Sequence, residues 1–195
     1  MRIAVDVDGV LADQIAPLIP RLKQKYGILI KPDEITSWEY VLSTGTNIRT
    51  EIEEALEDPE FLLNMPVVEG ALFGMTQLCK CHRVYVATAR QPRLAELTSR
   101  WLRKHGIPHR CLVSTDSRGK AALDADVLID DNIENIQLFC ESGRHGVLFD
   151  RSWNRSMDTA KSARISRALN WLHVLEIVRQ IQVDPGSGYA CTPHA

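Results

Sequence analysis

A chain of 195 residues with formal net charge −2, 45% hydrophobic and 25% charged, has the composition of a globular domain that buries its own core. The near-neutral balance removes the electrostatic case for bulk binding to nucleic acid or membrane surfaces, and no apolar run approaches the roughly 20 residues of a membrane helix. Five scattered cysteines, Cys79, Cys81, Cys111, Cys140 and Cys191, and an N-terminus without a signal-peptide apolar stretch predict a reducing, cytoplasmic location.

The first apolar run, "RIAVDVDG", reads as a buried strand ending in two acids, Asp6 and Asp8. Some fifty residues that are mainly helical in pattern follow: 12–26, a turn at "KPDEITSW", 46–57 and "DPEFLL". A strand-to-helix crossover does not need that much chain, so 14–67 is predicted to be a small helical cap inserted over the sheet. Beyond it the pattern alternates. Helix 71–80 precedes the strand "RVYVATAR"; helix 92–105 ends at "HGIP" before "HRCLVSTD"; "ADVLIDDN" leads into helix 132–142, and "HGVLFDRS" is the fifth strand. "CKCH" at 79–82 has no second pair of metal-ligand residues and reads as a helix end. The last helix is predicted over 158–182 from Ile165, Leu169, Leu172, Leu175, Ile177 and Ile181. Residues 183–195 read as a flexible tail.

Apolar strands without clean alternation, separated by helices, specify an α/β fold with a doubly wound parallel sheet. Its core would be 1–13 and 68–182. In such sheets ligands bind beyond the carboxyl ends of the strands. Asp6 and Asp8 end the first strand, Thr88 and Arg90 the second, and Asp130 and Asp131 the fourth, while Lys120 stands in the loop after the third. Four carboxylates against one lysine call for a cation, and oxygen ligands select a hard divalent ion, Mg²⁺. In the insertion, Trp38, Tyr40 and Phe61 offer flat faces for a base or for core packing. Trp101 and Trp171 lie in helical patterns and are expected in the core. Arg151, Arg155, Lys161 and Arg164 follow the fifth strand, and Asp150 and Asp158 dilute their charge, so a solvated helix start is expected there rather than a site for a second phosphate.

Asp6-Val7-Asp8-Gly9-Val10, Thr88, Lys120 and Asp130-Asp131, in that order, resemble the four motifs of the haloacid dehalogenase-like phosphohydrolases. "AVDVDGVLAD", "ITSWEY", "PVVEGA" and the ten-residue step from Lys120 to Asp130 are most similar to the 5′(3′)-deoxyribonucleotidase branch. The resemblance implies a phosphomonoesterase acting on small phosphorylated substrates such as (deoxy)nucleoside monophosphates. It implies that Asp6 is the nucleophile and Asp8 the acid and base, and that Thr88, Ala89 and Lys120 bind the phosphoryl oxygens. Mg²⁺ would be held by Asp6, Asp8 (through its backbone carbonyl) and Asp130, with Asp131 holding a metal-bound water or orienting Lys120.

Alternatives stay open at this level. Arg90 stands where related deoxyribonucleotidases carry a small residue or proline and where polynucleotide 3′-phosphatases of the superfamily carry arginine; it would clamp phosphate or pair with an acid. A sugar or small-metabolite phosphatase fits the same motifs. A phospho-acceptor module would place its acid pair before the threonine and lysine, which is not the order here, and a scaffold would not need every motif position filled. Neither a membrane partner nor polymeric nucleic acid is expected, and the oligomeric state is open.

Overall fold

A computed structural model describes residues 1–159 and 162–183. The predicted tail beyond Val183, and Lys161, lie outside the described residues. Six parallel strands form one sheet: β1 (Arg2–Val5), β2 (Arg83–Thr88), β3 (Leu112–Ser114), β4 (Val127–Asp130), β5 (His145–Phe149) and β6 (Ile165–Ala168). Their order is β3-β2-β1-β4-β5-β6. The motif-bearing strands β1, β2 and β4 are therefore adjacent at the centre, where β1 ends level with Val86 and Ile129. Central strands are covered on both faces, which explains their unbroken apolar runs.

Among the described residues eight α-helices accompany the sheet: α1 (Ile15–Tyr26), α2 (Ile48–Leu56), α3 (Pro59–Asn64), α4 (Ala71–Cys81), α5 (Ala95–Lys104), α6 (Ser117–Ala122), α7 (Ile133–Cys140) and α8 (Trp171–Val183). The first three arise between β1 and α4, and the two ends of that segment are tied together. Asp13 N–H donates to the Pro66 carbonyl and Val68 N–H to the Leu11 carbonyl, at 2.9 and 2.8 Å. Trp101 and Trp171 are buried, as their helical spacing predicts, and donate their indole N–H groups to the carbonyls of Met65 and Val10.

Local chemistry explains where the observed elements depart from the predicted ones. The expected single helix 158–182 is instead strand β6 followed by α8. Its apparent period counted Leu169 and Leu172, which are 63% and 66% exposed. Ile165–Ala168 pairs with β5 as an edge strand, and Asn170 stops it by accepting from His173 N–H at 3.0 Å. Among the described residues the sheet thus has six strands rather than five. Lys120 lies on a short helix rather than in a loop, because Asp116 caps that helix by accepting from Gly119 N–H at 2.8 Å. The basic stretch after β5 opens as expected in a helix start, a single 3-10 turn at Ser152–Asn154 with Arg151 before it. Arg151 donates to the Gly9 carbonyl, Arg155 pairs with Asp150 and Asp33, and Arg164 meets His145.

Candidate active site

Beyond Val5 the chain leaves the sheet in a tight coil rather than as more strand. The Val7 carbonyl accepts from the N–H groups of Val10, Leu11 and Ala12. Gly9 sits in this coil at φ +77°, and a Cβ there would run into the Asp131 carboxylate. The coil separates the two acids of "DVDG". Asp6 stays in register with the sheet, its N–H donating to the Ile129 carbonyl at 2.9 Å. Asp8 turns to Arg90.

Three buried carboxylates, Asp6, Asp130 and Asp131, place ligand oxygens within 4.8 Å of one another. Lys120, only 1% exposed, bridges two of them, with Nζ 2.8 Å from Asp6 Oδ1 and 2.7 Å from Asp130 Oδ2. Asn135 Nδ2 donates to Asp130 Oδ2 at 3.0 Å, and Trp153 Nε1 donates to Asp131 Oδ2 at 2.9 Å. Arg90 forms a two-pronged pair with Asp8, Nε to Oδ2 at 2.8 Å and Nη2 to Oδ1 at 2.7 Å, and donates to Thr98 Oγ1 at 3.0 Å. Thr88 is buried at the end of β2 and accepts from Arg90 N–H, while Ala89 is exposed beside the cavity.

Of the two roles open to Arg90, the structure shows the pairing with an acid, Asp8, and a further bond to Thr98. Asp131 stands among the three clustered oxygens and accepts from Trp153 Nε1. Of the aromatic residues in the insertion, Trp38 lines the cavity and packs on Trp153 at 4.8 Å between ring centroids. Tyr40 is half-buried outside the cavity wall, and Phe61 is buried in the core. Trp153 and Asn135 were not singled out from the sequence. Asn135 could have been, since it follows Asp130 by five residues within the helix that motif opens.

The residues fit a divalent cation. Four carboxylates face two cationic side chains, leaving a formal excess of two negative charges, and every available ligand atom is oxygen. Asn135 Oδ1 is buried with no partner among the described residues. Burial, opposed by the Lys120 ammonium, pushes the Asp6 carboxyl up to about 7. Burial and the neighbouring Asp130 and Asp6 push Asp131 well above the usual carboxylate range. Burial alone would lower Lys120, but its pairs with Asp130 and Asp6 hold it above the ordinary lysine value.

These shifts set the pH response of the metal-stripped protein. A carboxyl whose folded pKa is raised gives stability below its unfolded value, roughly 4, and loses it as pH rises through the folded value. The melting temperature in EDTA is expected to fall between pH 5 and pH 8. Added Mg²⁺ should raise it more at pH 8 than at pH 5. Calorimetry that finds a flat or rising profile in EDTA would contradict this electrostatic description.

A cavity of about 450 Å³ opens over Asp6, a volume in the range of small-molecule sites. Its wall includes Asp8, Arg90 and Lys120 from the sheet edge and Trp38, Ile52 and Leu56 from the segment between β1 and α4. The family model for 5′ nucleotidase, deoxy (pyrimidine), cytosolic type C protein matches residues 1–183. The chain belongs to this family. The 5′(3′)-deoxyribonucleotidase of Bacillus subtilis (strain 168) is 30% identical over 173 residues, covering 87% of this chain and 93% of that one. Among solved structures, a haloacid dehalogenase-like hydrolase from Streptococcus pneumoniae shares the fold at TM-score 0.62 and 13% identity, covering 91% of this chain and 97% of that one. A haloacid dehalogenase-type hydrolase from Bacillus subtilis, solved bound to magnesium, does so at TM-score 0.58 and 11% identity, with 91% and 97% covered. This nucleotidase-family chain is thus a phosphatase on the haloacid dehalogenase-like fold. No described helix is long and apolar enough to cross a membrane.

Proposed function

We propose that the protein hydrolyses (deoxy)nucleoside monophosphates in the cytoplasm through a covalent phosphate on Asp6. The observation that carries this reading is a nearly buried carboxylate at the floor of a nucleotide-sized cavity, with Lys120 in contact with it and Asp8 locked nearby. Asp6, Asp130 and the Asp8 carbonyl, together with Asp131, would hold Mg²⁺, the ion bound by the Bacillus subtilis structural relative. When bound, the ion supplies positive charge that neutralises the acids and the phosphoryl oxygens.

In the first step an Asp6 carboxylate oxygen attacks phosphorus, and the bond from phosphorus to the sugar oxygen breaks. Asp8, protonated from solvent as one prong of its Arg90 pair opens, gives that proton to the departing alkoxide. In the second step Asp8 takes a proton from water, which attacks phosphorus and releases inorganic phosphate with Asp6 regenerated. Lys120 and the Thr88–Ala89 turn bind the phosphoryl oxygens as charge spreads over them. Arg90 keeps the Asp8 carboxylate in one orientation, and Thr98 fixes the guanidinium in turn. Residues 14–67 act as a lid that excludes bulk water from the phosphorylated aspartate. Because Asp8 occupies both prongs of Arg90, this arginine is not free to grip a polynucleotide backbone, which favours mononucleotides. The four described cysteines are free, which supports a cytoplasmic site of action.

The test is phosphate release from nucleoside 5′- and 3′-monophosphates, sugar phosphates and a 3′-phosphorylated oligonucleotide, each with Mg²⁺ and with EDTA. Mg²⁺-dependent turnover with the highest kcat/KM on mononucleotides is expected. A preference for sugar phosphates or for the oligonucleotide would overturn the substrate assignment.

A further inference from the structure

Gln14 stands at the start of α1 and does not serve the helix. Asp13 caps it instead, accepting from the N–H groups of Ile15 and Ala16 at 3.0 Å each, and the Gln14 side chain makes no capping bond. The residue is 0% exposed and lines the cavity that opens over Asp6. Among the described residues neither its Oε1 nor its Nε2 has a hydrogen-bond partner. The cavity wall also includes the apolar side chains of Ile52, Leu56 and Leu94.

A buried amide with both ends unmatched destabilises the protein that carries it, and an apolar residue of similar size would not. Because Gln14 lines the substrate cavity, a ligand that displaces the side chains covering its amide can supply the missing partners. The ligand must present a donor and an acceptor together, because a carboxamide offers one of each in a plane. A phosphate presents acceptors and would leave Oε1 unmatched. The hydrogen-bonding edge of a nucleobase carries a donor beside an acceptor, and Trp38 in the same cavity offers a face on which the ring can stack. We infer that Gln14 is a specificity-determining residue that pairs with the edge of the substrate's nucleobase. The inference rests on the nucleotidase reading above and adds to it a base contact.

The experiment compares wild type with Gln14→Leu and Gln14→Met on three substrates: a nucleoside 5′-monophosphate, deoxyribose 5-phosphate and p-nitrophenyl phosphate. On the nucleotide, kcat/KM is expected to fall by roughly 10- to 100-fold in both variants, the scale of lost pairing to a substrate group. On the two substrates without a base it should fall by under about threefold. Melting temperatures without substrate should hold or rise, since the unmatched amide is gone. Equal losses on all three substrates, or lowered melting temperatures in both variants, would mean a structural role and overturn the inference. Equal losses on the nucleotide and the sugar phosphate, with p-nitrophenyl phosphate spared, would mean contact with a sugar hydroxyl and also overturn it. Wild type that turns over the other two substrates but no nucleotide would reject the nucleotidase reading and the base contact with it, an outcome visible before any variant is made.

Discussion

Asp6→Asn is expected to lower kcat on a nucleoside monophosphate by about 10⁴-fold or more, without unfolding the protein. The amide has nearly the shape of the carboxylate but is a far weaker nucleophile toward phosphorus, so the covalent route closes. Stability should respond in the opposite sense to activity. Burial holds the Asp6 carboxyl up to about 7, so its ionised form is disfavoured in the fold at pH 8. Without metal, the Asn variant should melt no lower than wild type at that pH. Steady-state kinetics and calorimetry on one preparation check both halves. A variant that keeps a tenth of wild-type activity would show that Asp6 is not the nucleophile.

Lys120→Met should cost both activity and stability. The ammonium is buried between Asp6 and Asp130, 2.8 and 2.7 Å from their oxygens. Its loss leaves two carboxylates facing each other in a water-poor site. Removing one partner of such a buried ion pair costs about 3–5 kcal/mol. Loss of a donor to the developing phosphoryl charge costs on the order of 10²- to 10³-fold in kcat. Mg²⁺ should recover part of the melting temperature, since it brings positive charge to the same acids, and little of the rate. Lys120→Arg should not rescue either, because a planar guanidinium cannot occupy the place of a compact ammonium between two acids. Denaturant unfolding with and without Mg²⁺ measures the first effect. A Met variant as stable as wild type in EDTA would contradict the buried-pair description.

The central strands and the order of motif residues could be read from the sequence because they follow from local rules. Val, Ile and Ala runs bury on both faces, and strand ends in a parallel sheet share one edge. Asp6, Asp8, Lys120 and Asp130 accordingly line one cavity, with Thr88 bonded to the backbone of Arg90 in its wall. Local rules failed where tertiary contacts decide. Strand β6 has no strong pattern of its own and exists because β5 offers it an unpaired edge. Leu169 and Leu172 kept a helical spacing by coincidence while facing solvent.

The roles of single side chains were less legible for the same reason. "DVDG" put two acids at the end of one strand, and the coil after Val5 gives them different partners, Lys120 for one and Arg90 for the other. Trp153 reaches Asp131 from 22 residues away, and spacing alone carries no sign of that bond. Gln14 follows Asp13 in what reads as an ordinary helix start. Only the packed cavity shows that Asp13 does the capping and that the Gln14 amide is left unmatched.

The most direct test of the account is chemical trapping of the covalent phosphate. The Mg²⁺-loaded enzyme is mixed with a radiolabelled nucleoside 5′-monophosphate, quenched in acid within milliseconds, reduced with borohydride and digested for mass spectrometry. The account predicts acid-stable label on the protein during turnover and homoserine at position 6 after reduction, with both absent in Asp6→Asn. Full turnover with no label on the protein, or reduction at a different aspartate, would contradict it.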